Sequence, residues 1–463
     1  RVDYTGYTIG YDQNTTYGYT AFYPGGYGAG GALGNQDPTQ YTDNWDTYTK
    51  LTNEVRFTSP SDQRWRWLVG GYAQKQTDDI RVEFRVDGLP AFYQVTGQGD
   101  VLYLSQQDRT DRDSAVFGDT TFDITDQFKL SAGLRYFWVD NTLFGFFGYN
   151  ADGFSRNGEA ACVDANGNFV PSSNASNRPC INTNKKTTDS GETHRVNATY
   201  QLTPDKMVYA TYSTGYRPGG NNRKNEAGPY QADKLTNYEI GWKTSWDDNR
   251  LRFNGALFFE KWNQVQVAVQ GLSGITSVVN VGDAETKGIE GEFSWLAMDH
   301  LTLSLSGTYV DAKTTTQFCN ANKLTGAVTT SCDPADAVAN VGTKLPVTPE
   351  FKGNLTGRYT FNAGSFDSFF QAAVFHQTTV TNDLNTITAS QMGDSPAFTT
   401  VDFSGGFGRD NWQLEGFIQN AFDERGELGR ASQCNDFSGV CNSNARVYPI
   451  KPQFFGIKFS RQF

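Results

Sequence analysis

Connections of two lengths alternate along this chain, and no other feature of the sequence restricts its fold as strongly. Short polar turns occur at 60–62, 125–126, 203–206, 247–249, 298–300, 362–364 and 409–411. Long stretches rich in Gly, Asn, Ser and Thr separate them, at 12–44, 77–109, 144–186, 313–345 and 422–445. A chain that crosses one layer back and forth has tight turns on one side and long loops on the other. A Greek-key sandwich has no need for this order.

The segments between the connections alternate apolar and polar side chains with a period of two, the pattern of half-apolar β-strands. Leu301, Leu303 and Leu305, for example, alternate with Ser304 and Ser306. The same alternation occurs at 129–138, 251–260 and 411–420. Such an apolar face packs against a second sheet in a soluble sandwich and faces lipid in a membrane barrel, so periodicity alone leaves both open.

The order of the connections favours the barrel. Seven short turns make seven hairpins, and a first strand near 3–11 and a last strand at 446–463 bring the total to sixteen. The chain has no run of about eighteen apolar residues and no long helical periodicity. We therefore predict an all-β protein, a transmembrane antiparallel up-and-down β-barrel, with a large soluble all-β protein as the alternative. Leu251, Phe253 and Leu257 are predicted to face lipid, together with the three leucines above.

The six cysteines fall in three pairs, each inside one long loop: Cys162 and Cys180, Cys319 and Cys332, Cys434 and Cys441. Loop-local pairs of this kind indicate disulfides formed in an oxidising compartment. A zinc site is the rival interpretation, and it is disfavoured because there is no Cys-x-x-Cys and the histidines are scattered. The loop side of the barrel is therefore predicted to be the exterior.

Five segments, in order along the chain, resemble TonB-dependent outer-membrane receptors. They are LTNEVRFTSPSDQRWRWLVGGYAQKQ (51–76), MVYATYSTGYRPGGNNR (207–223), LTNYEIGWKTSWDDNRLRFNGALFFEKWNQVQV (235–267), NVGDAETKGIEGEFSW (280–295) and NAFDERGELGR (420–430). The resemblance covers nearly the whole chain. It implies the barrel of a receptor in the outer membrane of a Gram-negative bacterium.

The same resemblance implies a role for the C-terminal strand. In such receptors a terminal aromatic strand closes the barrel and carries the signal read by the barrel assembly machinery. This role falls here to Phe459 and Phe463. Arg461 departs from the pattern, because an apolar or aromatic residue is usual at its position.

The resemblance also implies parts that this sequence lacks. Receptors of the family are twenty-two-stranded barrels with a plugged lumen. Residues 1–463 are expected to form only the outer-membrane β-barrel domain, with about sixteen of those strands. The N-terminal plug domain and the first strands are expected not to be in this sequence. A closed sixteen-stranded porin is the alternative, and it would pair the strand near 3–11 directly with the last strand.

A basic and aromatic cluster at the outer end of one predicted strand forms the candidate ligand site. Its members are Tyr212, Tyr216, Arg217, Asn221, Asn222 and Arg223. A concave mouth with aromatic and polar side chains suits a small ligand, although ordinary loop solvation explains the same residue types. The ligand, a small molecule or a glycan, is not identified by the sequence.

No catalytic constellation, metal-ligand spacing or cofactor motif stands out, so we predict no enzyme activity, no metal and no cofactor. The resemblance implies a receptor that binds a scarce solute at its extracellular mouth and imports it with energy from the TonB complex, acting through the missing plug. Outer-membrane lipid would surround it, and nucleic acid is not an expected partner. Passive diffusion through an open sixteen-stranded barrel is the alternative function.

Overall fold

The computed structural model describes residues 40–462 apart from 151–157, 167, 169, 171–176, 225–226, 271–275, 320–331, 335–336 and 432–444. Its strands are β1 Gln40–Thr58, β2 Trp65–Val86, β3 Val101–Asp123, β4 Phe128–Gly148, β5 Thr183–Thr203, β6 Lys206–Arg217, β7 Asp233–Trp246, β8 Leu251–Asn263, β9 Gln266–Gln270, β10 Thr276–Asn280, β11 Ala284–Met298, β12 Leu301–Thr314, β13 Phe318–Cys319, β14 Ala337–Ala339, β15 Phe351–Ala363, β16 Phe366–Gln377, β17 Phe398–Arg409, β18 Trp412–Gln419, β19 Glu427–Ala431, β20 Arg446–Pro449 and β21 Phe454–Arg461. One α-helix, α1, spans Thr386–Met392, and 3₁₀ turns span Ala91–Tyr93 and Glu159–Ala161. No helix in these described segments is long and apolar enough to cross a membrane.

Fifteen strands form one antiparallel sheet whose order follows the sequence, β1-β2-β3-β4-β5-β6-β7-β8-β11-β12-β15-β16-β17-β18-β21. Each of the seven predicted short turns joins two neighbouring strands of this sheet. Since every pairing is antiparallel, the short turns all lie at one end, called here the turn rim, and the long connections lie at the opposite end, the loop rim. The predicted up-and-down topology is therefore confirmed. The first predicted strand, near 3–11, lies outside the described residues.

The strands extend further into the predicted loops than composition indicated. The stretch 77–109 was expected to be a loop, yet β2 runs to Val86 and β3 begins at Val101. The second half of β2 alternates apolar and charged side chains, a strand pattern that the loop prediction overlooked: Ile80, Val82, Phe84 and Val86 alternate with Arg81, Glu83 and Arg85. On β3 the outward side chains change from Val116 to Ser114 and then to Arg112, so the strand continues beyond its apolar band.

The last strand is shorter than predicted. Residues 446–463 were expected to be one strand, but β21 begins at Phe454, and Arg446–Pro449 forms β20, which pairs with β19 at the loop rim. Pro449 is the last residue of β20, and Pro452 stands between the two strands. Proline has no N–H to donate to a ladder, which explains the interruption. Among the described strands, β21 pairs only with β18 and β1 pairs only with β2.

Register assembles the apolar side chains into one continuous outer face. Leu305 lies opposite Phe293 on β11 and Leu355 on β15. Leu257 lies opposite Ile289, and it is 51% exposed. The predicted lipid-facing residues therefore share one face, as the period of two requires.

The inner face is polar, and several of its aromatic rings cover glycines directly opposite on the next strand. These pairs are Phe117 over Gly70, Phe137 over Gly191, Tyr209 over Gly241, Phe258 over Gly288, Phe369 over Gly406 and Phe417 over Gly456. A Cβ at Gly406 would lie 2.8 Å from Cε1 of Phe369 and 2.7 Å from the carbonyl oxygen of Leu414. The glycines therefore let the rings lie against the wall.

Buried apolar clusters sit at the loop rim. Val86, Leu102, Tyr103, Phe147 and Tyr149 pack together where β2, β3 and β4 end. A second cluster joins Val265, Val279, Phe318, Val338 and Leu384 from the loops that contain β9, β10, β13, β14 and α1. The long connections are therefore folded structures with cores of their own.

Candidate functional site

The segment 218–232 joins β6 to β7 at the loop rim and carries most of the predicted ligand residues. Its two ends are tied together by an ion pair between Arg217 and Asp233, and the Asp233 side chain is only 2% exposed. Asp233 also accepts a hydrogen bond from Nε1 of Trp262 at 3.0 Å. The Arg217 guanidinium lies 5.1 Å from the centre of the Trp262 ring. Arg217 therefore already has partners in the protein, and its first role is to fix the base of this loop.

Lys185 of β5 reaches into the loop from the wall. Its ammonium donates to the carbonyl oxygen of Asn222 at 3.0 Å, to that of Ala227 at 2.7 Å and to that of Lys224. These three acceptors satisfy all three ammonium donors. Burial lowers the pKa of Lys185 to about 8. Lys185 lies far along β5 from the turn rim, beyond the apolar band, and no pattern in the sequence indicates its role.

Two asparagines hold the rest of the loop. The Nδ2 of Asn221 donates to Oδ1 of Asn141 at 2.8 Å, while its own Oδ1 accepts from the hydroxyl of Thr187. Asn222 is buried, and its side chain exchanges hydrogen bonds with the backbone N–H and carbonyl of Val278 on β10. The predicted ligand-binding asparagines are thus used internally to dock the loop on β4, β5 and β10.

The two predicted tyrosines lie apart. Tyr212 lies on the outer face beside His194, 3.2 Å from its Nε2, and its ring is 5.2 Å from that of Tyr238. Tyr216 instead stacks on Phe137, with ring centres 3.6 Å apart. The structure therefore groups Tyr216 with the mouth and leaves Tyr212 outside it.

Arg223 is the exposed cation of this loop. Its charge faces Asp78 on the inner face of β2. Burial raises the pKa of Asp78, the nearby Asp46 raises it further, and Arg223 and Arg109 oppose this shift. One oxygen each of Asp46 and Asp78 is buried without a hydrogen-bond partner among the described residues. Arg223 is thus the predicted residue with most freedom to contact a ligand.

A cavity of about 240 Å³ lies between this loop and the inner wall. Gln74, Arg109, Asp113, Asn141, Asp189 and Tyr230 line it. Sequence reasoning missed this cavity, because its walls come from β2, β3, β4, β5 and the loop. The sequence did carry one local indication of a polar inner surface here. Gln74 and Gln76 share a face of β2, and Asp111 and Asp113 share a face of β3.

The cysteines follow the predicted pairing as far as the structure describes them. Cys162 pairs with Cys180 and Cys319 pairs with Cys332, with Cα atoms 6.3 and 5.9 Å apart. Both pairs lie in long loops at the loop rim. Cys434 and Cys441 lie outside the described residues. No group of three His, Cys, Asp or Glu side chains within the described ranges is arranged to hold a metal ion.

At the C-terminus, Phe459 lies opposite Leu414 and is 64% exposed on the outer face of β21. Arg461 shares this face and lies opposite Trp412, next to the turn rim. Phe463 lies outside the described residues. A role of Phe459 and Phe463 in closure and assembly stays a prediction.

Three carboxylates lie close together on the inner face, nearer to the turn rim than the cavity is. Glu239, Glu260 and Glu290 lie on β7, β8 and β11, and none of them forms an ion pair with another described residue. The hydroxyl of Tyr209 donates to Oε1 of Glu239 at 2.7 Å. Sequence reasoning treated such residues only as lumen lining.

The fold defines an antiparallel transmembrane β-barrel. The chain belongs to the TonB dependent receptor-like β-barrel family, whose sequence model matches residues 1–421. This confirms the predicted family, the barrel fold and the location in the outer membrane of a Gram-negative bacterium. It is a family of receptors and transporters, and the protein is not an enzyme.

Among curated relatives, the pesticin receptor of Yersinia enterocolitica is 24% identical over 277 residues, which are 58% of this chain and 34% of that protein. The metal-pseudopaline receptor CntO of Pseudomonas aeruginosa is 26% identical over 252 residues, 52% of this chain and 31% of that protein. The chain thus spans about a third of the length of these relatives.

Solved structures share the fold. The ferric yersiniabactin uptake receptor FyuA from Yersinia pestis superposes with a TM-score of 0.67 at 17% identity, over 92% of this chain and 55% of that one. The ferric citrate transporter FecA in its unliganded form gives a TM-score of 0.62 at 16% identity, over 92% of this chain and 56% of that one.

Proposed function

We propose that this chain is the barrel of an energised importer, which captures a scarce solute at the loop rim and passes it through a plugged lumen. The observation that carries the proposal is the folded mouth: segment 218–232 is docked on the wall by Lys185, Asn221 and Asn222 and encloses a polar cavity. A pore for passive diffusion needs an open mouth and gains nothing from a folded ligand cavity. Membership in a receptor family supports the same conclusion.

The proposal includes a plug domain upstream of this sequence and the TonB complex as its source of energy. A barrel has no nucleotide site, so work must reach it through a partner. The carboxylates Glu239, Glu260 and Glu290 form no ion pair with another described residue, so they would give a filling domain an acidic wall to which basic side chains could dock. The barrel assembly machinery, which would read the C-terminal strand, remains a proposed partner.

The proposed ligand class is a metal-loaded chelator, as suggested by the names of two relatives, the metal-pseudopaline receptor and the ferric-pyoverdine 358 receptor of Pseudomonas putida. Arg223, Tyr216 and the cavity beneath 218–232 form the proposed contact surface. Arg217, Asn221 and Asn222 would act mainly by holding that surface in place. Tyr212 stays a weaker candidate, because it lies on the outer face.

The proposal is tested by uptake in cells that express the full-length protein. Radiolabelled iron is supplied on a panel of chelators, with and without a protonophore. An energised receptor accumulates one chelate, and the protonophore abolishes the accumulation. Uptake that continues unchanged when the proton gradient collapses would instead establish passive diffusion.

A further inference from the structure

Two cations face each other on the outer surface of the barrel. Lys75 of β2 lies directly opposite Arg112 of β3, and both side chains are exposed. Like charges directly opposite on neighbouring strands repel each other. Lys75 forms no ion pair with another described residue. No described carboxylate therefore pairs with Lys75 to compensate its repulsion from Arg112.

A third cation and one carboxylate lie beside this pair, and two further carboxylates, Asp79 and Asp108, lie opposite each other on the same face beyond Thr77 and Thr110. Asp140 on β4 binds Arg112 at 3.0 Å and Lys186 of β5 at 2.9 Å. With Arg178, which binds Asp108 at 2.7 Å, this surface carries four cations against the three carboxylates, and three of the cations, Lys75, Arg112 and Lys186, lie around the single carboxylate Asp140. A net excess of cations on one exposed surface attracts an anion.

Hydroxyl groups form a row beside the cations. Thr49, Thr77, Thr110 and Thr142 lie opposite one another on β1, β2, β3 and β4. Their register puts them on the same face as Lys75 and Arg112, because residues two apart on a strand share a face. Threonine hydroxyls donate hydrogen bonds to sugar and phosphate oxygens. Together with Lys75, Arg112 and Lys186 they form what is called here the basic patch.

The basic patch stands immediately above an aromatic band. Trp138 and Tyr136 are 46% and 39% exposed on the outer face, and their rings are 4.8 Å apart. Exposed aromatic rings of this kind lie at the lipid–water interface of membrane barrels. Small side chains at Ala73, Ser114 and Ser190 leave a shallow depression between Trp138 and Arg112.

The height of the patch matches a lipid headgroup. Arg112 lies eleven positions along β3 from its turn-rim end at Asp123. At ~3.3 Å per residue and a tilt of roughly 40°, this is about 28 Å from the turn rim, just above an apolar band about 25 Å tall. The cations therefore lie at the level of the outer-leaflet headgroups and face away from the lumen.

We infer that the basic patch binds a phosphorylated glycolipid of the outer leaflet, with its phosphate between Lys75 and Arg112, its sugar on the threonine row and its acyl chains against the aromatic band. A free phosphate has the same charge, but it gains nothing from Trp138 or from the height of the patch. This inference concerns the outer surface and does not depend on the proposed transport function.

The test uses purified full-length protein in detergent and native mass spectrometry. The probes are a bis-phosphorylated acylated glucosamine disaccharide, the same glycolipid after phosphatase treatment, and inorganic phosphate. The double variant Lys75→Gln/Arg112→Gln is compared with Lys261→Gln/Lys287→Gln, which removes two exposed cations from the outer face of β8 and β11. The heat-modified electrophoretic mobility of each variant reports whether its barrel is folded.

We expect the phosphorylated glycolipid to bind, its affinity to fall at least tenfold in the patch variant, and the control variant to change less than twofold. Equal retention of the dephosphorylated lipid, equal loss in the control, or equally tight binding of inorganic phosphate would each overturn the inference. A second measurement is independent of the adducts. Lys75→Gln should raise the unfolding temperature in lipid-free detergent and abolish most of the increase that the glycolipid gives to the native protein.

Discussion

The ammonium of Lys185 donates a 2.7 Å hydrogen bond to the carbonyl oxygen of Ala227, and so a side chain of the barrel wall holds the backbone of the loop beside it. The carbonyls of Asn222 and Lys224 complete the contact. This cage joins the wall to the segment that covers the candidate ligand cavity.

Replacing Lys185 with Met should loosen segment 218–232 without unfolding the barrel. The substitution keeps the aliphatic stem and leaves three carbonyls without their donor, at a cost of about 1–3 kcal/mol. Hydrogen exchange of the backbone amides in 218–232 measures this as faster local exchange. Lys186→Met is the matched control, because Lys186 is 64% exposed and its one ion pair within the described part of the chain is with Asp140. Equal exchange rates in the two variants would show that the cage does not hold the loop.

The burial of Lys185 also predicts a dependence on pH. Its pKa is about 8 in the docked loop, against an ordinary value of 10.5 when the loop is released. The released state therefore binds more protons between these values, and raising the pH from about 8 to 10.5 favours the docked state. Exchange of the 218–232 amides, corrected for its intrinsic pH dependence, should slow over this window. In Lys185→Met this pH dependence of exchange should disappear. If the corrected exchange of the native protein became faster as the pH rises, the predicted direction of the effect would be wrong.

Gly406→Ala should destabilise the barrel by about 1–3 kcal/mol, because the new methyl group meets the Phe369 ring and a backbone oxygen of β18. Gly416 on β18 is the control, since a Cβ there has no heavy atom within 4 Å. Gly416→Ala should be neutral or stabilising by roughly 0.5–1 kcal/mol, because alanine has less conformational freedom to lose. Thermal unfolding in detergent compares the two. Similar losses at both positions would refute the steric explanation.

Leu305→Arg should impair membrane assembly, whereas Ser304→Arg should be tolerated. Leu305 lies on the outer face between Phe293 and Leu355, and an Arg facing mid-membrane lipid costs about 2–4 kcal/mol. Ser304 faces the lumen between Ser294 and Thr356, where water or a plug solvates a charge. The folded fraction in reconstituted vesicles is the measurement. Equal assembly of the two variants would mean that the faces are assigned the wrong way round.

The sequence predicts the membrane part of this protein well, because lipid imposes a strict rule there. Most outward side chains there are apolar, with His194 as an exception, so the period of two in a strand such as β12 reveals its two faces, and the tight turns set the register. Nothing comparable applies at the loop rim. There the ladders of β2 and β3 carry charged side chains beside buried apolar ones such as Val86 and Leu102, and both strands continue through a stretch whose overall composition indicated a loop.

The mouth was harder to predict because its contacts join distant segments. Lys185 and Lys186 are adjacent in sequence, yet one is caged by carbonyls of the 218–232 segment and the other is exposed. Tyr212 and Tyr216 are four residues apart but lie in different environments, because β6 leaves β5 after Ser213. Composition marked a cluster of candidate ligand residues in and beside the 218–232 segment, but only tertiary structure shows that Asn221 and Asn222 are occupied in docking that segment.

The central claim, a plugged receptor barrel, is tested most directly by the ion conductance of the full-length protein in a planar lipid bilayer. A folded mouth above a filled lumen should give no stable open channels at moderate voltage. The substitution Glu290→Gln should increase transient leaks by weakening contact with the filling domain, and Glu415→Gln, an inner-face control on β18, should not. Steady, voltage-independent conductance of the native protein would contradict the account and identify the barrel as a passive pore.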